Sequence, residues 1–205
     1  DLENINLKIK KLDDRFENLK KIQLVFLNCF FNSNSAKTLF DELTSDKKTD
    51  FSRYNYFYAK YLANNGRLNE AKKVVNKSLK EYPRNLLLNQ YKIDLENSEN
   101  YNKFNCKKEQ HVTAELIYIA ANALSSQSIY PLSNFYLNLS KYLNRDFHAF
   151  DTLLAENFYK ISDFSSAKKI YNKMIKHGDA FKWYSNKQIS RILILEDNKK
   201  SSLQL

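Results

Sequence analysis

Small residues at fixed spacing constrain the fold of this chain more than any other feature. Within residues 52–85, Ala59, Ala71 and Ser78 alternate with larger apolar residues, and Gly66 lies midway between them. Small side chains let two helices approach closely, and Gly commonly ends a helix at a turn. The stretch therefore predicts two antiparallel helices joined at Gly66.

The same pattern recurs along the chain. Units that start at Ala114 and His148 repeat it, and they place Ser133 and Ala167 at the offset of Ala71. The last two of these three units are directly consecutive, 34 residues apart, and such recurrence indicates a repeat architecture. The whole chain of 205 residues contains only two Gly and two Pro, which favours helices throughout. We expect an all-α protein, more than about two-thirds helical, without a sheet.

The unit at residues 52–85 resembles a tetratricopeptide repeat (TPR), a helix hairpin that stacks into solenoids. Residues 104–192 are also similar to the repeat region of poorly characterised α-proteobacterial TPR proteins. The segments that carry this second similarity are AEL at 114–116, LSNFYLNLSKYLN at 132–144, TLLAENFY at 152–159 and KWYSNKQI at 182–189. The resemblance implies a bacterial protein with a TPR-like α-solenoid, a right-handed superhelix of antiparallel helix pairs. It implies no catalytic residues.

On this basis we interpret residues 1–205 as a single TPR-like repeat array. Its segments are a degenerate repeat at 17–50, a TPR at 52–85, a truncated or irregular unit at 86–108, a TPR-like unit at 114–147, a TPR at 148–181 and a partial repeat or cap at 183–205.

The chain lacks a recognisable catalytic, metal or phosphate motif. Cys29 and Cys106 have no CxxC spacing, and the three histidines show no ligand spacing relative to them. We expect two buried free thiols, since a disulfide would require the fold to bring these residues together. Two glycines cannot build a phosphate-binding loop. The sequence therefore predicts a non-enzymatic protein without a cofactor or metal ion.

Binding is the function that remains. The resemblance implies that the first helix of each hairpin lines a concave groove, with side chains recurring at the helical period of about 3.6 residues. The groove residues predicted in this way are Arg53, Tyr56, Lys60, Asn64, Tyr118, Asn122, Glu156, Lys187 and Arg191. We expect them to be partly exposed and to bind a peptide or protein segment, with the tyrosines as anchors.

The net charge of +10 suggests an alternative. The lysines at 72, 73, 77 and 80 share their offsets with those at 168, 169, 173 and 176, all on second helices and hence on the expected convex face. A solvated face explains them most simply, whereas a nucleic acid or another anionic surface is the alternative partner. Nucleic acid is disfavoured, because a phosphate-binding groove would concentrate cations on the first helices.

A further alternative is an assembly module. Exposed ends of the array and aromatics such as Trp183 and Tyr184 would then pack against another subunit, so a homo-oligomer is compatible with the sequence. No apolar run is long enough for a transmembrane segment. The first residue is Asp1, which fits a processed chain: the compartment is the periplasm if a signal peptide has been removed, and the cytoplasm otherwise.

Overall fold

The computed structural model describes residues 2–46, 48–97 and 103–196. Of these residues 78% are helical, and none lies in a strand. The predicted all-α class is therefore confirmed. The chain divides into two compact units, Asp1–Val112 (unit 1) and Thr113–Leu205 (unit 2), each of which is described by itself.

Unit 1 consists of consecutive helices that pack in chain order. They are α1 (Leu2–Lys10), α2 (Glu17–Phe30), α3 (Ala36–Ser45), α4 (Tyr54–Asn64), α5 (Leu68–Glu81) and α6 (Leu86–Glu96), with a short 3-10 turn at Asp14–Phe16. Each of these helices contacts the next one in the chain, and α6 also contacts α4. The hairpins predicted at 17–50 and 52–85 correspond to the pairs α2/α3 and α4/α5, and the first helix expected at 86–96 is α6.

An aromatic cluster and a disulfide hold the segment that follows α6. The Phe104 ring lies 4.5 Å from Phe57 of α4 and 5.6 Å from Phe26 of α2, between ring centres. Beside it, Cys106 is bonded to Cys29 of α2. The prediction of two free thiols is therefore wrong, because burial of Phe104 brings the two cysteines together. Part of the irregular unit predicted at 86–108, residues 98–102, lies outside the described residues.

Unit 2 contains the remaining helices. They are α7 (Glu109–Ser126), whose first residues belong to unit 1, α8 (Tyr130–Leu143), α9 (Ala149–Lys160), α10 (Phe164–Met174) and α11 (Asp179–Leu195), with a 3-10 turn at Ile175–His177. Helix α9 packs against α8 and α10, and α10 packs against α11. The second helix of the partial repeat expected at 183–205 would begin beyond α11, outside the described residues. None of the helices in the described chain combines the length and apolarity needed to cross a membrane.

The same turn closes four hairpins. Gly66, Ser128 and Ser162 occupy one offset of the three predicted repeats, and all three have left-handed backbones with φ of 75°, 63° and 61°. Asn32, between α2 and α3, also has a left-handed backbone, with φ of 52°. In every case the N–H of the following residue donates to the carbonyl five residues before it, at 2.9 Å. This pair of features defines a Schellman cap, which ends a helix and reverses the chain.

Small residues occupy the interior offsets of the repeats. The residues at these offsets, all of them inaccessible to solvent, are Ala59, Ala121 and Ala155 on the first helices and Ala71, Ser133 and Ala167 on the second. In unit 2, Leu137 packs with Ala121 and Leu154, which joins α7, α8 and α9 in one apolar cluster. The predicted close approach of paired helices at small residues therefore fits the observed burial.

The recurrent turn predicts opposite effects for two substitutions. A Cβ at Gly66 would meet no atom within 4 Å, so Gly66→Ala adds only the cost of a left-handed backbone, about 1 kcal/mol of unfolding free energy. Ser162→Gly removes that cost and should stabilise by up to about 1 kcal/mol. Urea denaturation of both variants is the test. If their unfolding free energies change in the same direction, this explanation is contradicted.

The buried alanines predict sensitivity to overpacking. Ala71→Leu and Ala167→Leu insert bulk where no space exists, and each should lower the unfolding free energy by about 1–3 kcal/mol. Ala123→Leu, on the exposed side of α7, is the matched control and should stay near wild type. Thermal denaturation measures all three, and an unchanged midpoint for both buried variants would disprove the assigned repeat offsets.

Candidate binding face

Two of the predicted groove residues in unit 1 lie in the interior. Tyr56 and Lys60 are each only 2% exposed, because α6 covers the side of α4 that carries them. Tyr56 packs edge-on against Tyr91 of α6 at 5.0 Å between ring centres. The Lys60 ammonium lies 5.5 Å from the centre of the same ring. The expectation that these two side chains are partly exposed is wrong.

Buried charges surround this contact. Asp94 of α6 accepts a hydrogen bond from the Gln90 amide at 2.7 Å. It also forms an ion pair with Lys103 at 3.2 Å. Burial lowers the pKa of Lys60, and the nearby Asp94 carboxylate opposes that shift. The Tyr91 hydroxyl is buried without a hydrogen-bond partner among the described residues, and burial raises its pKa. This cluster fixes α4, α6 and the segment after α6, which is a structural role.

The other two predicted residues of unit 1 keep contact with solvent. Arg53 is half-buried, with its guanidinium carbon 5.6 Å from the centre of the Phe57 ring. Asn64 is exposed at the end of α4. Unit 1 therefore presents only these two of its four predicted groove residues to a partner.

Unit 2 gathers several predicted residues on one surface, formed by α9 and α11. The Tyr184 hydroxyl of α11 donates a hydrogen bond to the half-buried Glu156 carboxylate of α9. Burial raises the pKa of Tyr184, and the negative charge of Glu156 raises it further. The phenol thus stays protonated and keeps donating to Glu156, which fixes the carboxylate in position.

Exposed cations of α11 lie over aromatic rings on the same surface. The Lys187 ammonium is 5.1 Å from the centre of the Trp183 ring, and Trp183 is 67% exposed. The Arg191 guanidinium carbon is 5.5 Å from the centre of the Tyr159 ring of α9. Such cation–π contacts hold long side chains in fixed positions. We name Glu156, Tyr159, Trp183, Lys187 and Arg191 the α9–α11 face.

The remaining predicted residues belong to α7. Tyr118 is half-buried against the Ala121/Leu137/Leu154 cluster, with its ring centre 5.4 Å from that of Phe150 in α9. Asn122 is exposed. Tyr118 is thus largely a packing residue, and only part of its ring is available as an anchor.

A polar network that sequence reasoning missed joins the helices behind this face. The buried Asn157 of α9 donates to Ser133 and to Asn134 of α8, both at 2.8 Å, and accepts from Ser125 of α7 at 2.6 Å. A hydrogen-bonded amide at this point specifies how the three helices pack. The equivalent offsets hold Tyr61 and Ala123, so the sequence carried no repeated signal for it.

Within the described residues, neither the two histidines of unit 2 nor any other cluster forms a metal site. The rings of His148 and His177 stack at 3.3 Å between centres, and His148 Nδ1 lies 3.4 Å from Asp151 Oδ2. Across the described residues, no group of three or more His, Cys, Asp or Glu side chains is placed to hold a metal ion.

Comparisons with known proteins add no family assignment. No protein-family model matches the chain, and no curated protein matches its sequence.

The buried Asp151 carboxylate predicts an acid-sensitive contribution to stability. Although burial would raise its pKa, hydrogen bonds from His148 and Lys141 lower the pKa below the ordinary value. A carboxyl whose pKa is lower in the folded state stabilises the fold at neutral pH. This stabilisation is lost as the pH falls from the unfolded pKa, about 4, through the folded one.

Asp151→Asn should therefore lower the unfolding free energy at pH 7 by about 2 kcal/mol. The difference from wild type should shrink as the pH falls below about 4. Asp146→Asn, which changes an exposed carboxylate in the same unit, is the control and should match wild type. Denaturant unfolding across this pH range tests the prediction, and a difference that does not depend on pH would contradict it.

Proposed function

We propose that the protein is a non-enzymatic interaction scaffold of TPR type that binds a protein segment on the α9–α11 face. One observation carries this proposal: on α11, an indole that is 67% exposed lies beside the exposed Lys187, and the same helix carries the exposed Arg191 and fixes the Glu156 carboxylate through Tyr184. Large exposed aromatics flanked by charged groups are typical anchors of protein–protein contacts.

The contacts of the face favour a peptide with apolar and acidic side chains. Trp183 offers a flat apolar surface on which a partner side chain can stack. Lys187 and Arg191 supply positive charge, and both are already held over rings, so little side-chain freedom is lost on binding. Glu156 can accept a backbone or side-chain N–H of the peptide while it remains bonded to Tyr184.

The TPR assignment rests on the repeats. The left-handed turn residues Asn32 and Gly66 are 34 residues apart, as are Ser128 and Ser162, and the buried Ala121 and Ala155 have the same spacing, which is the period of TPR hairpins. We propose that these hairpins continue as one right-handed α-solenoid, whose first helices present the binding surface. In this proposal the half-buried Tyr118 and the exposed Asn122 of α7 extend the surface in unit 2, and Arg53 and Asn64 are the solvent-accessible candidates of unit 1.

A display library of random peptides tests the proposal without knowledge of the native partner. Peptides selected on the wild-type protein should be rich in acidic and apolar residues. Trp183→Ala/Arg191→Ala should weaken their binding by at least about tenfold, measured by titration, since both side chains are exposed and their removal leaves the fold intact.

A charge-reversal variant is the matched control. Lys72→Glu/Lys73→Glu/Lys169→Glu/Lys173→Glu changes exposed residues of α5 and α10 and should leave peptide binding unaffected. If that variant abolishes binding while Trp183→Ala/Arg191→Ala binds normally, the α9–α11 face is not the site.

The lysines themselves support a second candidate function, the binding of an anionic surface. Four of them, Lys168, Lys169, Lys173 and Lys176, line one shallow depression on α10. Glu196 shares that depression and pairs with Lys168 at 2.7 Å, which neutralises part of the charge. Binding of this kind weakens steeply as salt is added, so a salt titration distinguishes it from peptide binding.

A further inference from the structure

The second helix of one repeat, α8, differs in its exposed residues from the second helices of the other two complete repeats. Each second helix of the three complete repeats has the same exposed offsets, and on α5 and α10 lysines fill them. On α5 they are Lys73, Lys77 and Lys80, and on α10 together with the 3-10 turn after it they are Lys169, Lys173 and Lys176. On α8 the corresponding residues are Phe135, Leu139 and Tyr142.

These three residues belong to an exposed apolar stripe. Phe135 is 62% exposed, Tyr142 67% and Leu139 36%, and Leu132 one turn earlier is also exposed. The four residues are spaced as i, i+3, i+7 and i+10, which is the spacing of the apolar seam between two packed helices. We name Leu132, Phe135, Leu139 and Tyr142 the α8 stripe.

The surroundings of the stripe carry little charge. The other exposed residues of α8 are Pro131 and Asn138, and Lys141, which is half-buried, pairs with Asp151. Arg145 lies beyond the end of the helix, with its guanidinium carbon 5.5 Å from the centre of the Tyr142 ring. A surface with so little charge attracts anionic ligands weakly, and it fits an apolar partner instead.

We propose that the α8 stripe binds the same stripe of a second copy of this chain, with the two helices antiparallel about a two-fold axis. This surface is separate from the α9–α11 face, so the inference goes beyond the proposed function. In a symmetric pair centred on Leu137, each Phe135 faces Leu139 of the other copy, and each Leu132 faces Tyr142. A large ring thus meets an aliphatic side chain at every contact, which makes the stripe complementary to itself.

The distribution of charge makes the α8 stripe a better place for two copies to meet than the lysine-bearing helices. Each chain carries a net charge of +10, so two copies repel one another wherever their lysine-bearing helices meet. The α8 stripe offers a contact without that repulsion. The lysines on α5 and α10 act against pairing at their own surfaces, as edge lysines do on sheets.

The available area predicts a weak dimer. The two aromatic rings and two leucines expose on the order of 400 Å² per copy, hence about 800 Å² in a pair before the flanking residues are counted. This is below the roughly 1,200 Å² at which stable specific interfaces begin, and it lies in the range of weak, transient contacts. The dimer should therefore dissociate with a Kd weaker than about 1 μM.

Sedimentation equilibrium from about 10 μM to about 1 mM protein is the primary experiment. We expect a monomer–dimer equilibrium that strengthens with added salt, because salt screens the repulsion between the two positive chains. A purely monomeric protein over this range overturns the proposal. So does a dimer that weakens with salt, since charge and not apolar contact would then hold it.

Substitutions locate the interface. Phe135→Gln/Leu139→Gln/Tyr142→Gln keeps the charge and should weaken the dimer by at least about tenfold, with an unchanged far-UV circular dichroism spectrum. Lys169→Gln/Lys173→Gln/Lys176→Gln, at the same offsets on α10, is the matched control and should dimerise at least as well as wild type. If the α8 variant dimerises normally, the interface lies elsewhere and the proposal fails.

Cross-linking tests the antiparallel orientation. Asn138→Cys places a thiol next to the two-fold axis and should form an intermolecular disulfide under oxidation, whereas Pro131→Cys, far from the axis, should not. Equal cross-linking of both variants would mean parallel helices and would overturn the proposed geometry. Binding of the wild-type monomer to neutral phosphatidylcholine vesicles, in place of dimerisation, would assign the stripe to a lipid surface and likewise overturn it.

Discussion

Each helix hairpin depends on one backbone arrangement, a left-handed residue followed by an N–H bonded to the carbonyl five residues earlier. This cap satisfies carbonyls that the end of a helix would leave without partners, and it sets the direction in which the next helix leaves. The small residues of the paired helices are buried at the same offsets in each of the three repeats. The close packing of the first and second helices therefore depends on the turn between them.

The helical pattern was predictable because it depends on neighbouring residues. Contacts between residues far apart in the sequence were not predictable. The sequence identified Gly66 as a turn residue, but Ser128 and Ser162 adopt the same conformation without the residue type that signals it. The burial of Tyr56 and Lys60 results from α6, which packs on the side of α4 expected to be open. Periodicity alone cannot tell which helix covers a given face.

In the candidate site, too, local features were predictable from the sequence and contacts between helices were not. Lys187 and Arg191 were predicted from their offsets and are exposed, whereas the bond between Tyr184 and Glu156 joins two helices and leaves no mark in either one. Conversely, the α8 stripe could have been found from the sequence, because aligning the repeats places Phe135, Leu139 and Tyr142 beside lysines. A residue that departs from its own repeat is informative without any comparison between proteins.

The bond between Cys29 and Cys106 turns the intervening chain, from α3 to α6, into a covalent ring. A ring has fewer unfolded conformations than an open chain, so it loses less entropy when it folds. Glutathione and thioredoxin would open this ring in a reducing compartment, and the segment that follows α6 would then be held only by its noncovalent aromatic and polar contacts. The thiol redox state of its surroundings, as well as temperature and pH, is therefore expected to determine how much of unit 1 is folded.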